Sequence, residues 1–392
     1  MRHLPLDYAV RNLGRSKARL VMIVCGSALL VLIILAAAAF VRGMNQSLRA
    51  TGGEHNIILL GAGSEESVER SEVDMGVAGI AAASIHGIRE FGGVPFVSPE
   101  IHAMLPVRTP RHTPDDPGTL ATIRGVTPAA LLVHEEVAIL EGRYPETGRD
   151  EVLVGSTAAT RLGIPDALLV LGRQVEIEGR PWTIVGRFTA GGTMAESEIW
   201  TGLNDLMEVT RRDSISCVVI TLDPGLAEFE DVAVFAMMRP DLELVAMRET
   251  EYYGALASFF APIRMVVWIT AGLIALGGFL GGLNTMYAAF VSRVREFGAL
   301  QAIGFRRRAI ALSLVQESTV ATAAGTLLAC AIGVLLLDGL AVRFSMGAFG
   351  LIVDTSVLML SLGVGLALGA FGALPPAYRC LRLSIPTALK AI

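Results

Sequence analysis

Residues 20–41 read LVMIVCGSALLVLIILAAAAFV, and no charge interrupts them. About 20 apolar residues of helix cross the hydrocarbon core of a bilayer, so this stretch is long enough by itself. Three later stretches share its character. Met265 to Ser292 is uncharged between Arg264 and Arg293. Ala309 to Leu337 lies between Arg308 and Asp338 and carries the single charge Glu317. Thr355 to Tyr378 is uncharged between Asp354 and Arg379, with Pro375-Pro376 expected to end the helix. The small residues Ala36 to Ala39 raise the alternative of a cleaved signal peptide. The first apolar run exceeds the roughly 7–15 residues of a signal core and follows a charged segment, so an uncleaved anchor is expected.

Composition agrees. Of 392 residues, 53% are hydrophobic and 18% charged, too apolar for an ordinary soluble chain. A net charge of −5 argues against a nucleic-acid binder, which needs a basic face. Cys25, Cys217, Cys330 and Cys380 are scattered, which suggests neither a zinc site nor a disulfide framework.

Arg and Lys in the short flanks set orientation. Arg2, Arg11, Arg15, Lys17 and Arg19 precede the first run; Arg293, Arg295 and Arg306–Arg308 separate the second from the third; Arg379, Arg382 and Lys390 follow the fourth. The loop between the third and fourth has only Arg343. Both termini and the 293–308 loop are therefore expected in the cytoplasm. The expected fold class is an α-helical membrane protein with four transmembrane helices (1+3) and an extracytoplasmic α+β domain between the first and second. Its parts are a cytoplasmic elbow over 1–19, transmembrane helices over 20–43, 262–292, 309–338 and 351–376, the domain over 44–260, the cytoplasmic segment 293–308 and a cytoplasmic tail over 377–392. Leu6, Ala9, Val10 and Leu13 fall at i, i+3, i+4, i+7, a pattern that fits an amphipathic helix at the membrane surface. A plain positive flank that only sets topology is the alternative.

Within 44–260, β-branched runs read as strands at Ile57–Leu60, Ala121–Val126, Glu151–Gly155, Trp182–Val185 and Cys217–Leu222. Helices are expected at Val77–Glu90, Ser156–Leu162 and Leu226–Met238, with a last helix, about Arg248 to Phe260, running into the second span. His55, His86, His102, His112 and His134 have no metal-ligand spacing, and neither G-x-S-x-G nor H-E-x-x-H occurs. Asp115-Asp116 lies in a Pro-rich loop and reads as a solvated turn. The only lysines, Lys17 and Lys390, do not follow a glycine, so this sequence holds no phosphate-binding Gly-Lys-Ser/Thr loop.

Residues 291–317 read VSRVREFGALQAIGFRRRAIALSLVQE. Arg293, Glu296, Phe297, Gly298, Leu300, Ala302, Gly304, Arg306–Arg308 and Glu317 resemble the pattern of the FtsX-like permease family of ABC transporters, of the MacB and lipoprotein-release type. Arg11-Asn12-Leu13 is similar to that family's N-terminal elbow, and Ile385-Pro386-Thr387-Ala388-Leu389 to its C-terminal ending. Leu140–Pro145, Asp150–Gly155 and Ile184–Phe188 are similar to its periplasmic core domain. The resemblance implies a non-catalytic permease in a bacterial inner membrane, working with an ABC ATPase on a separate chain and with a second permease copy, homodimeric or heterodimeric. It leaves a periplasmic adaptor open as a further partner. No cofactor or metal is expected on this chain, ATP and magnesium being held by the ATPase, and no nucleic acid. The substrate class, lipoprotein, peptide, lipid or antibiotic, stays open. The alternative function is a membrane sensor or regulator, for signalling or for cell-wall hydrolase control.

The resemblance also makes Arg293 to Gly304 the ATPase-coupling segment. Val294, Phe297, Leu300 and Ile303 recur every third residue as an apolar contact stripe, rimmed by Arg293, Arg295 and Glu296. Glu317, an intramembrane charge, reads as the structural partner of an arginine or a helix end. Gly277/Gly281 and Gly278/Gly282 form two overlapping G-x-x-x-G pairs, expected to pack closely against another helix.

Overall fold

The computed structural model describes residues 17–110, 116–344 and 347–389. The expected surface helix before Lys17 lies outside them, as do His112, Asp115 and Lys390. The chain divides into two compact units, one of residues 1–42, 262–340 and 351–392, the other of residues 43–261 and 341–350.

The first unit is helical. Four helices are long and apolar enough to cross a membrane: α1 (Lys17–Ala50), α8 (Ala261–Val291), the third over Arg307–Leu337 and α11 (Thr355–Leu381). The third is α-helical over Arg307–Ile332, here α10, and closes with a π-turn over Gly333–Leu337. Between α8 and α10 lies the short helix α9 (Val294–Ala302), and α12 (Ile385–Leu389) follows α11.

Pro375-Pro376 does not end the fourth helix; α11 runs through both to Leu381. A proline ring collides with the carbonyl four residues back. Here those positions are Phe371 and Gly372, and the small residues Ala373 and Ala377 around the prolines are fully buried, so packing holds the segment helical. The helix before α8 does not run straight on either. It ends at Phe259, and Phe260 breaks the ladder just before Pro262, which has no N–H to continue it.

The second unit is an α+β domain around one ten-stranded sheet. Its strands are β1 (Asn56–Gly61), β2 (Val97–Arg108), β3 (Thr119–Val126), β4 (Ala138–Gly142), β5 (Glu151–Gly155), β6 (Gln174–Ile177), β7 (Arg180–Thr189), β8 (Ile199–Gly202), β9 (Cys217–Thr221) and β10 (Leu244–Arg248). The order is β10-β1-β9-β2-β3-β8-β5-β7-β4, and β6 pairs with both β7 and β2. That last pairing closes β2, β3, β8, β5, β7 and β6 into a ring. Inward-facing Val107, Ala121, Ile123, Val152, Val154, Val175, Ile177, Trp182, Ile184 and Ile199 fill it. Helices α2 (Val77–Ser84), α3 (Ala130–Val133), α4 (Ala158–Leu162), α5 (Leu203–Thr210), α6 (Phe229–Met238) and α7 (Glu249–Phe259) surround the sheet.

The helix expected over Val77–Glu90 stops at Ser84, and Glu90–Phe91 instead pairs with Val94–Pro95 as a small hairpin. Gly87 explains the stop: its φ is +81°, and a Cβ there would meet Ala227 Cβ at 2.6 Å. Residues 341–350 form a further hairpin, Ala341–Phe344 with Gly347–Gly350, which belongs to this unit. Its Phe344 ring meets Phe260 and Phe349 edge-on at 5.4 and 6.1 Å.

Candidate coupling site

Helix α9 packs its apolar face inward. Val294 and Phe297 are 4% and 1% exposed and join Phe290, Ile310, Leu314, Ala377, Cys380, Leu381 and Ala388 in one cluster. The expected contact stripe for a partner is thus intramolecular over its first two members: an apolar side chain on a short helix is buried wherever the chain itself supplies a cover. Leu300 is half-buried, while Arg295, Ala299, Ala302, Ile303 and Gly304 are exposed. Gly298 faces α12, and a Cβ there would meet Ala388 Cβ at 3.0 Å. The helix ends in a Schellman turn: Phe305 N donates to Leu300 O (3.1 Å) and Gly304 N to Gln301 O (3.0 Å). Gly304 has φ +102°, a conformation that costs any other residue strain.

Arg293 does not rim a surface. It is 7% exposed, and its Nη1 donates to Glu317 Oε1 and Oε2 at 3.2 and 3.0 Å. Its Nε donates to Glu296 Oε2 at 3.1 Å, and its guanidinium lies 5.4 Å from the Phe297 ring centre. Arg19, near the start of α1, donates from Nη2 to the same Glu317 Oε1 at 3.2 Å. Glu317 thus joins three elements. Its partners among the described residues include these two arginines from outside α10, whereas Arg306–Arg308 at the start of α10 are exposed. In hydrocarbon, a carboxylate is tolerated only when paired in this way.

Of the four glycines in the two overlapping pairs of α8, only Gly278 packs as expected: a Cβ there would collide with Leu30 of α1, while Gly277, Gly281 and Gly282 have no neighbour within 4 Å of that position. The close approaches lie elsewhere. Gly365 and Gly369 of α11 face Thr326, Thr322 and Thr319 of α10, and Gly325 of α10 faces Ser27 and Val24 of α1. The hydroxyls of Ser27, Thr322, Thr326 and Ser361 donate to carbonyls of their own helices, so none is left unpaired in the bundle.

A second buried charge cluster sits in the other unit. Strand pairing sets Cys217 beside Glu100, and Arg124 between His102 and Trp200. Glu100 is fully buried and accepts from Arg124 Nη1 (3.1 Å), Ser98 Oγ (2.8 Å) and, from the C-cap of α3, His134 Nε2 (2.7 Å). Arg124 Nη2 and Trp200 Nε1 donate to Glu198 at 2.7 and 2.8 Å. Burial would raise the Glu100 carboxyl, but the charges of His134 and Arg124 override it and hold it well below the usual carboxylate range. Burial would lower His134, yet Glu100 pushes it up to about 9. Ligand atoms of Glu100, His102 and Cys217 lie within 4.8 Å of one another. They do not suit a cation: the Arg124 guanidinium already holds Glu100, and burial pushes the Cys217 thiol well up, so it keeps its proton. His55 and His86 are exposed, and Asp116 accepts from Gly118 N (2.9 Å) in its turn.

With the geometry in place, comparison with known proteins decides the family. Residues 20–232 match the MacB-like periplasmic core domain and residues 268–385 the FtsX-like permease C-terminal domain. The chain belongs to the MacB-type, FtsX-like ABC transporter permeases. A curated relative, the macrolide export ATP-binding/permease protein MacB of Bdellovibrio bacteriovorus, is 32% identical over 123 residues, which is 31% of this permease and 18% of that protein. The permease thus spans less than a fifth of that relative's length in the match. Two solved structures are similar to about half of the chain. The periplasmic region of MacB from Actinobacillus actinomycetemcomitans shares 10% identity with a TM-score of 0.39, covering 54% of this chain and 97% of that one. The extracellular domain of the noncanonic ABC-type transporter YknZ from Gram-positive bacteria shares 16% with a TM-score of 0.37, covering 49% and 99%. At scores this low neither likeness bears on function.

The permease motifs that are far apart in sequence meet in space: Gly298 of α9 touches Ala388 of the C-terminal ending, and Arg293 pairs with Glu317. Sequence reasoning missed Arg19, counted only as a topogenic charge, and Gly365/Gly369, although their four-residue spacing was as visible as that in α8.

Proposed function

We propose that this chain is the transmembrane permease subunit of an ABC transporter that passes ATP-driven motion of a partner ATPase to its core domain, for export or extraction of a substrate outside the inner membrane. The four apolar helices cross the membrane as one plus three, with both termini and α9 in the cytoplasm and the core domain outside. The observation that carries the reading is the two-faced α9. One face is anchored in the bundle through Val294, Phe297 and Gly298, and the other offers Arg295, Ala299, Ala302 and Ile303 to a partner. ATP and magnesium belong to that partner. Helix α8 is the least covered of the long helices, 6% buried against 33% for the others, and is where a second permease copy lies.

The test is co-purification with an ABC ATPase from the native membrane, compared with Ile303→Asp. Ile303 is 64% exposed, so the substitution spares the fold, and loss of the ATPase from this variant is expected. An ATPase that stays bound would remove α9 from the interface. For orientation, Ser64→Cys should react with an impermeant thiol reagent in intact spheroplasts and Ser384→Cys only after lysis. The reverse labelling would invert the topology.

A further inference from the structure

The apolar cluster that holds α9 draws on α8, α9, α10, α11 and α12, and among its described residues none belongs to α1. Further along, α1 packs on α8 and α10 at Gly278 and Gly325; at this junction its link is ionic, Arg19 of α1 sharing the Glu317 carboxylate with Arg293, the residue that caps α9. α1 is the helix whose last residues, from Gly43, already belong to the core-domain unit. We propose that Glu317 is a positioning residue that makes α1 follow α9, so that a displacement imposed on the coupling helix reaches the core domain through the first helix. The proposal rests on the coupling reading and adds the route.

The physics favours a bridge that stays closed through the stroke. Glu317 and Arg293 are 6% and 7% exposed, and Arg293 Nη2 has no hydrogen-bond partner among the described residues. Opening the bridge would strand a buried charge, which is far costlier than keeping the pair and moving both helices together. The sharing is also directional. Removing Arg19 leaves Arg293–Glu317 intact and cuts only the arm to α1.

The experiment uses the full chain in lipid nanodiscs with the ABC ATPase that co-purifies with it. It measures ATPase affinity and maximal ATPase stimulation separately. Arg19→Gln and Glu317→Gln are expected to lower maximal stimulation about tenfold while Kd stays within about threefold, inside the range of couplings between linked sites. The double variant should be no worse than Glu317→Gln alone, and Glu317→Asp should recover most of the stimulation. Full stimulation in Arg19→Gln, or a loss that appears in Kd instead, overturns the route. If Glu317→Gln fails to assemble, Arg19→Gln decides, because it spares the buried pair. A wild-type chain that recruits no ATPase sinks the coupling reading itself, and the route with it.

Discussion

The two buried charge clusters are alike in composition and opposite in construction. The core-domain cluster sets Glu100 and Glu198 against Arg124 and His134; the junction cluster sets Glu296 and Glu317 against Arg19 and Arg293. In the domain, neighbouring strands supply most of the groups, so hydrogen-bonded register holds them in place. At the junction the groups come from three helices, Arg293 and Glu296 both from the start of α9, and side chains hold the helices together there. The first is a rigid fixture within a sheet; the second can join parts that move. A histidine makes the domain cluster sensitive to proton concentration, whereas arginine does not titrate in the accessible range.

The largest expected effect tests the rigid cluster. Arg124→Met leaves two buried carboxylates without their shared cation and should cost about 3–5 kcal/mol. The transition is followed in the full chain in detergent by the fluorescence of Trp182 and Trp200, both fully buried in the domain. An unchanged unfolding midpoint would mean that charge pairing does not hold this cluster.

The next effect is pH dependence. His134 rises from 6.5 to about 9 on folding, so its protonated form is favoured by the fold. The stability it contributes is complete below pH 6.5 and is lost as the pH climbs through about 9, by at most roughly 3 kcal/mol. His134→Gln should flatten that slope. A slope that persists in the variant assigns it to another group.

In the bundle, Gly369→Leu should cost about 1–3 kcal/mol by overpacking against Thr319 and Thr322, while Gly281→Leu, with open space around it, should be tolerated. Thermal unfolding in nanodiscs reads both, and equal effects would place another helix on the open face of α8. The smallest effect is Gly304→Ala, about 1 kcal/mol from its left-handed turn, seen as faster amide exchange across α9. Unaltered exchange would show that the Schellman turn does not hold α9 in place.

The apolar runs were legible because helix length in a bilayer is fixed by thickness, and β5 matched its expected bounds because Val152, Leu153 and Val154 form a largely β-branched apolar run closed by Gly155. β2, the longest strand, escaped because Pro99 and Pro106 lie inside it, where a missing N–H usually argues against a strand. The direction of Phe297 was not legible either: a three-residue repeat marks one face of a helix without saying who covers it. Glu100, Arg124 and Glu198 lie tens of residues apart and meet only through strand order. Arg124 leaves a trace as a lone charge within an apolar strand, whereas Glu198, beside Ser197 and close to Glu196, leaves none.

The proline pair in α11 has a mechanical consequence. Pro375 and Pro376 offer no N–H to the carbonyls of Phe371 and Gly372, so bending there stretches no hydrogen bond of the ladder. The last turns of the helix are tied down instead by Ala373, Ala377, Cys380 and Leu381, in the same cluster as Phe297. A rod with one soft section concentrates its flexing at that section. Any tilt of the α9 platform can therefore be taken up as curvature near its own end of the fourth helix, leaving the Gly365–Gly369 contact further along under little strain.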